Sequence, residues 1–253
     1  MISTLELERA AEVIRSARHG MAFTGAGISA ESGIPHFRGP GGLWERYDPY
    51  QIASIEQFHA DPSVYWSYSK NHRRIGAQPN PAHLALTRLE QGEFIESVVT
   101  QNTDGLHQRA GSRRVIELHG SSATVECLGC SSRFPRTEID RLNLERCPPS
   151  CPACASAYLK PTVVFFGEPL PVEALAGAQA AAVQADIVLV VGSSLVVYPA
   201  ASLPRIALEH GARLLIVNAE ETPYDALAEV TLKGKAGEIL PRLAALVCTA
   251  PLI

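Results

Sequence analysis

An α/β fold built on a doubly wound parallel sheet is what this sequence predicts, on three observations. Short buried-strand segments alternate along the chain with stretches of helical periodicity, the order that parallel strands and crossover helices produce. Four of those segments stop in glycine or polar residues, at Gly25, Gln101-Asn102, Gly192-Ser193-Ser194 and Asn218. In open parallel sheets the carboxyl edge of the strands is where ligands bind. Between Ser121 and Lys160 the core signals fade and cysteine, proline and arginine replace them, which marks an inserted module.

Residues 4–18 place Leu7, Ala10, Ala11, Ile14 and Ala17 at helical spacing, and Met21-Ala22-Phe23-Thr24 follows as a short buried strand. Glycines and prolines crowd residues 33–50, so this stretch is expected to be a long loop, and a compact domain keeps such a loop for function. A helical stretch around Val64 to Ile75 follows, and Pro79-Asn80-Pro81 then punctuates before a helix over 82–90. Further buried strands are expected at Ile95–Thr100, Val115–Leu118, Val163–Phe166, Ile187–Val191 and Leu214–Val217, with helices at 172–184, 200–210 and 237–246. The expected organisation is one domain over 1–253: a sheet core in 1–32, 80–120 and 160–253, a loop and helical module at 33–79, and the inserted module at 121–159. At 253 residues and 46% hydrophobic content, the chain can bury one sizeable core plus such a satellite.

Lys and Arg number 22 against 26 Asp and Glu, a formal charge of -4. That leaves no basic field for a phosphate backbone, so nucleic acid is not an expected direct ligand. The N-terminus is acidic and quickly amphipathic, and no apolar run reaches the length of a membrane span; the expectation is a cytoplasmic protein without a membrane partner. Five of the six cysteines lie between positions 127 and 154, a clustering that favours metal over a disulfide framework.

Gly25-Ala26-Gly27-Ile28-Ser29-Ala30 fits G-x-G-x-x-A directly after a strand and opening a helix, where glycines let the backbone approach a pyrophosphate. A dehydrogenase would carry an acidic residue at a strand end about 20 residues later; here that interval is the Gly/Pro loop, so ordinary hydride-transfer architecture is not expected. Asn218 closes a strand where a dehydrogenase uses a carboxylate for a ribose hydroxyl. Cys127-Leu128-Gly129-Cys130 and Cys151-Pro152-Ala153-Cys154 give a zinc-ribbon spacing. Four thiolates close a tetrahedral site with no open position, so the zinc is structural. Cys147 is an alternative ligand to Cys151, and Cys248 reads as a free core thiol. The arginines of this module are matched by acidic residues, which argues against a nucleic-acid-reading ribbon. His119 follows a strand beside the cleft, where a general base belongs.

GAGISAESGIPHFRG (25–39), TQNTDGLHQRAG (100–111), HG (119–120), the paired CxxC, VVFFGE (163–168) and GSSLVVYPAA (192–201) together resemble the sirtuins, in order and spacing along essentially the whole chain. The resemblance implies a Rossmann-like core, a zinc module and a flexible cofactor-binding loop, with NAD and an acyl-lysine peptide meeting in the cleft. It implies NAD consumption: the acyl oxygen attacks the nicotinamide-bearing ribose carbon, nicotinamide leaves, and a histidine base promotes transfer of the acyl group to ADP-ribose. By motif, His119 would be that base, Asn102 would orient the ribose and a water, and Asp104 would help hold the nicotinamide amide. Gly25, Ala26, Gly27, Ala30, Phe37 and Arg38 would line the phosphate and nicotinamide side, next to Thr103. Gln101, Gly192, Ser193, Ser194, Asn218 and Ala219 would hold the riboses, and the backbone near Lys235 and Ala236 the adenine. Val164, Phe165, Gly167 and Glu168, with Leu195 and Val196, correspond to two strands between which the substrate backbone inserts.

Two departures from the family pattern bear on specificity. Position 103 is Thr where sirtuins commonly carry an aliphatic residue. Members that prefer succinyl or malonyl lysine carry Tyr-x-x-Arg, whereas here Tyr68-Ser69-Lys70-Asn71 keeps the tyrosine and lacks the arginine, with Lys70, Arg73 and Arg74 nearby. A carboxylate buried without a bidentate partner is costly, so acetyl and other uncharged acyl groups are favoured. Tyr65, Trp66 and Tyr68 read equally as direct contacts to the acyl group, Tyr68 among the substrate residues, and as helix packing around an apolar pocket. GSSLVVYPAA is also similar to bacterial deacetylases of the family. The expectation is therefore an NAD-dependent protein-lysine deacetylase, a monomer or weak oligomer. The alternatives are a deacylase for other acyl groups, an ADP-ribosyltransferase, and a non-catalytic module that senses NAD.

Overall fold

The computed structural model describes residues 2–37, 41–73, 76–142 and 147–249. In chain order the elements are α1 (Thr4–Arg15), β1 (Gly20–Thr24), α2 (Pro49–Ala53), α3 (Ile55–Ala60), α4 (Pro62–His72), α5 (Pro81–Gln91), β2 (Ser97–Thr100), α6 (Leu106–Ala110) and β3 (Val115–Glu117). There follow β4 (Thr124–Cys127), β5 (Arg133–Pro135), α7 (Arg136–Leu142), β6 (Leu159–Pro161), α8 (Val172–Gln184), β7 (Ile187–Val191), α9 (Leu203–Glu209), β8 (Arg213–Asn218), β9 (Val230–Lys233) and α10 (Ala236–Thr249).

Local chemistry explains the helix starts. Ser3 and Glu6 form a reciprocal capping box at α1, which satisfies amide donors that an α-helix leaves open. At α5, Asn80 caps the Ala82 N–H and Pro81 occupies the first turn, where its missing donor costs nothing.

Six strands form one parallel sheet in the order β3-β2-β1-β7-β8-β9. The chain winds outward from β1 to β3 and then restarts on the other side of β1, so the switch point lies between β1 and β7. Successive side chains leave the sheet on opposite faces. Ala22, Val98, Leu189 and Leu215 enter a core shared with α1, α5 and α10. Their neighbours Phe23, Val99, Val190 and Ile216 enter a second core beneath α8 and α9. Full burial of side chains such as Phe23, Val99, Leu189 and Ile216 contributes roughly 1.5–3 kcal/mol each. A second sheet, β5-β4-β6, is antiparallel. Its Val125, Cys127 and Leu159 share a third cluster with Phe58, Trp66 and Phe165.

One expectation about local structure is corrected, and two details are added. Residues 163–166 form no strand; the Val164 and Phe165 amides go to His119 O and Glu168, and Phe166 makes an isolated parallel bridge with Ser54. The segment after Gly25 does open a helix, of the 3₁₀ type over Ala26–Ser32, and Gly33 ends it at φ 78°. The edge strand β9 and the short helices α2, α3, α6 and α7 were not expected, because four to seven residues carry too little periodicity to show.

Candidate active site

The carboxyl ends of β1, β2, β3, β7 and β8 converge on one edge of the sheet, and every polar strand end noted in the sequence lies there. At the switch point two glycine turns interlock. The Gly27 N–H donates to Gly192 O at 2.8 Å, and the Gly25 N–H donates to Val191 O at 3.1 Å. A Cβ on Gly27 would stand 2.7 Å from Gly192 Cα, and one on Gly192 would stand 2.2 Å from Ile28 N. Gly192 also holds φ 61°, a conformation that costs a non-glycine residue energy.

Beneath these turns lies a buried polar network that the sequence reading missed. The Ser29 hydroxyl donates to Asp104 Oδ2 at 2.7 Å, and the Asn102 amide donates to Ser29 Oγ and to Gly25 O, each at 3.2 Å. His83 Nδ1 accepts from the Asn80 N–H, which leaves its Nε2 to donate to Ser29 Oγ at 3.4 Å. The three groups Asn102, Ser29 and Asp104 are thereby fixed relative to one another. His107 Nε2 lies 2.9 Å from Thr24 Oγ1, which itself donates to Thr100 Oγ1, and the two imidazoles meet edge to face at 4.9 Å. Burial, partly offset by the charge of Asp104, pushes His83 down to about 4; burial and then the neighbouring His83 push His107 down to about 3. Both rings are neutral at physiological pH. Ser29 sat inside the glycine motif and His83 beside a helix cap, but nothing in the sequence pairs them with Asp104.

His119 follows β3, and its Nδ1 lies 2.9 Å from Gln101 O. A carbonyl only accepts, so the neutral ring carries its proton on Nδ1 and keeps Nε2 as a lone-pair base. Burial lowers its pKa, against a smaller raising effect of the Gln101 carbonyl. Gln101 in turn donates to Ser193 Oγ at 2.8 Å, which ties the β2 end to the β7 turn. Thr103 points its carbonyl at Ser122. Ser194 is half-buried beside Ser193, and Asn218 is buried at the end of β8, bonded to Glu220 O. Ala26 is half-buried; Ala30, Ala219 and Lys235 are exposed, and Ala236 is buried as the first residue of α10. Phe37 is exposed and stacks on Trp44 at 5.0 Å. Arg38 lies outside the described residues.

The segments of Val164, Phe165, Gly167 and Glu168 and of Leu195 and Val196 are irregular, not the two strands expected. Phe165 and Leu195 are buried, Val196 and Gly167 exposed. Tyr68 on α4 is half-buried, stacks on His72 at 4.4 Å and meets Tyr47 edge-on at 5.3 Å; burial, then Tyr47 and Tyr65, push its phenol up to about 12. Arg73 forms an ion pair with Asp140 on α7, which Arg136 also engages. Arg74 lies outside the described residues.

The Sγ atoms of Cys127, Cys130, Cys151 and Cys154 all lie within 4.8 Å of one another. The 127–154 and 130–151 separations are 3.5 and 3.8 Å, near the edge of about 3.8 Å that Zn–S bonds of about 2.3 Å give a tetrahedron. Each CxxC closes a matching knuckle: Ser131 N donates to Cys127 O at 2.8 Å and Ala155 N to Cys151 O at 2.9 Å. This donor set fits one structural zinc ion. Cys147 stands apart, with its thiol against Ser67 and Ser63, so it does not replace Cys151.

Among the described residues no helix is long and apolar enough to cross a membrane. The profile described as "Sir2 family" matches residues 25–199. The chain is 50% identical over 240 residues to an NAD-dependent protein deacylase 2 of Archaeoglobus fulgidus, covering 94% of each chain. Among solved structures it is similar to a Sir2 enzyme at TM-score 0.92 and 49% identity, covering 97% of this chain and 98% of the other. It is also similar to Sir2Af2 bound to a myristoylated histone peptide, at TM-score 0.85 and 44% identity, covering 97% of both.

Proposed function

The chain belongs to the Sir2, or sirtuin, family, and from that membership and the geometry of the cleft we infer that it is an NAD-dependent protein-lysine deacetylase. It transfers the acetyl group to ADP-ribose and releases nicotinamide. The observation that carries the reading is His119, whose Nδ1 is tied to a carbonyl and whose Nε2 is left as a base.

NAD is the co-substrate, lying along the carboxyl edge of the sheet across the β1–β7 switch point, over the interlocked glycine turns. Gln101, Ser193, Ser194 and Asn218 face its riboses, and Lys235 and Ala236 at the start of α10 flank its adenine. Asn102 and Asp104, held by Ser29, fix the nicotinamide end. His119 Nε2 takes the ribose-hydroxyl proton after nicotinamide has left. The zinc holds the 127–154 knuckles and takes no chemical part, since four thiolates fill its coordination.

The acyl-lysine peptide lies between the 164–168 and 195–196 segments, with Tyr68 near the acyl end. Acetyl and other uncharged groups are preferred, a reading supported by the engagement of Arg73 with Asp140. The family neighbour with a myristoylated histone peptide favours a second reading, removal of longer uncharged acyl groups by the same site. The division into core, helical and zinc modules, a monomeric or weakly associating form, and a cytoplasmic location belong to this proposal. A zinc-binding thiolate set suits a reducing compartment.

The test is mass spectrometry of the purified protein with NAD and matched acetyl-, myristoyl- and succinyl-lysine peptides. Loss of acetyl with release of nicotinamide and acetyl-ADP-ribose supports the reading. NAD-derived label retained on protein favours ADP-ribosyl transfer, and no change in any peptide returns the non-catalytic module to the front.

A further inference from the structure

Lys160 is a lysine almost wholly enclosed, at 6% exposure, and no part of the chemistry above uses it. It sits in the middle of β6, opposite Glu126 of β4. An ammonium has three protons and no acceptor, so a buried one must find three partners. Lys160 finds them within its own downstream segment: Val163 O at 2.7 Å, Glu168 Oε2 at 2.8 Å and Pro161 O at 3.2 Å. Its fourth neighbour is the face of Phe165, with Nζ 4.3 Å from the ring centroid. Glu168 Oε2 accepts at the same time from the Phe165 N–H at 2.7 Å.

Residues 161–168 are thus wound around one cation, and this explains why the segment is irregular although its sequence is strand-like. The same winding reaches the catalytic edge, since the Val164 N–H donates to His119 O at 2.9 Å. It also reaches the zinc module, because Leu159, next to Lys160, pairs with Cys127 and accepts the Trp66 indole N–H at 2.9 Å.

We propose that Lys160 is a positioning residue for substrate: with Glu168 it presets the 163–168 segment in the shape that receives the acyl-lysine peptide. This deepens the functional reading and rests on its placement of the peptide at that segment. Lys160 touches neither reacting atom. Its removal raises the cost of ordering the segment, which falls on peptide binding, while the NAD side of the cleft keeps its own supports in Ser29, Gln101 and Ser193.

The experiment compares the zinc-loaded wild-type protein with Lys160→Met, Lys160→Arg and the double variant Lys160→Met/Glu168→Gln. It reads steady-state kinetics with NAD and an acetyl-lysine peptide, and peptide Kd by calorimetry without NAD. The expected result for Lys160→Met is a peptide KM and Kd raised roughly tenfold or more, with kcat at saturating peptide within about threefold of wild type and KM for NAD unmoved. Lys160→Arg, which keeps a cation, recovers part of the loss. The double variant removes the orphaned carboxylate, so it regains folding stability if Lys160→Met has lost it, yet keeps the weakened peptide binding. Unchanged peptide Kd in either methionine variant overturns the proposal, as does a drop confined to kcat. A wild-type protein that binds the peptide but never deacetylates it defeats the functional reading instead, and the Kd comparison still judges Lys160.

Discussion

His119 and Gln101 are joined by a 2.9 Å contact between imidazole Nδ1 and a backbone carbonyl oxygen, so the tautomer of the proposed base is set by main chain and not by a carboxylate. Replacing His119 by Ala is expected to lower kcat roughly 10²- to 10⁴-fold, with near-normal melting temperature. Full turnover in that variant, measured by nicotinamide release, removes His119 from its role.

The same contact gives a pH dependence. A base works only when unprotonated, and burial lowers the His119 pKa. The acidic limb of kcat/KM is therefore expected below about 6.5, the ordinary histidine value. A limb above that value contradicts the burial argument.

Stability carries its own pH signature through His83 and His107. Their folded-state values, about 4 and about 3, lie below that of an unfolded histidine, so the unfolded chain binds more protons between those values and about 6.5. Stability is present above that window and falls as pH drops through it, by up to ~1.4 kcal/mol per pH unit per histidine. Thermal melts across that range should show the slope, and His83→Asn should flatten it.

Gly192→Ala places a methyl group 2.2 Å from Ile28 N at a backbone φ of 61°. The interlock of the two glycine turns has to open, at an expected cost of at least ~2 kcal/mol. Calorimetry should show the loss together with a raised KM for NAD.

Removing zinc with a strong chelator, or replacing Cys151 by Ser, takes away a contribution on the order of 10 kcal/mol from a module with little apolar core of its own. Circular dichroism and zinc content should report a partly unfolded protein; a native, zinc-free protein of unchanged melting temperature refutes the structural role.

Acyl selectivity can be read from one ratio. With Arg73 paired to Asp140, a succinyl carboxylate in the Tyr68 region lacks its bidentate partner, so kcat/KM for succinyl peptide should fall at least tenfold below that for acetyl. The reverse order would mean that Arg73, or Arg74, turns into the pocket.

What short-range chemistry encodes could be read directly from the residues. Strand segments such as Ile187–Val191, the break at Pro79-Asn80-Pro81, the glycine turn at 25–27 and the two CxxC pairs each depend on a few adjacent residues, and each was legible. The sequence also displayed, as motifs, the residues gathered along the carboxyl edge. Tertiary structure alone decided which of them meet. Ser29 joins Asp104 across 75 positions, and His107 reaches Thr24 across 83. No local pattern records such pairings, because they arise from the winding order of the sheet. The same holds for residues 163–166, whose apolar run argues for a strand. In the fold, Val163 O and Glu168 enclose the Lys160 ammonium, and only Phe166 pairs, as an isolated bridge with Ser54.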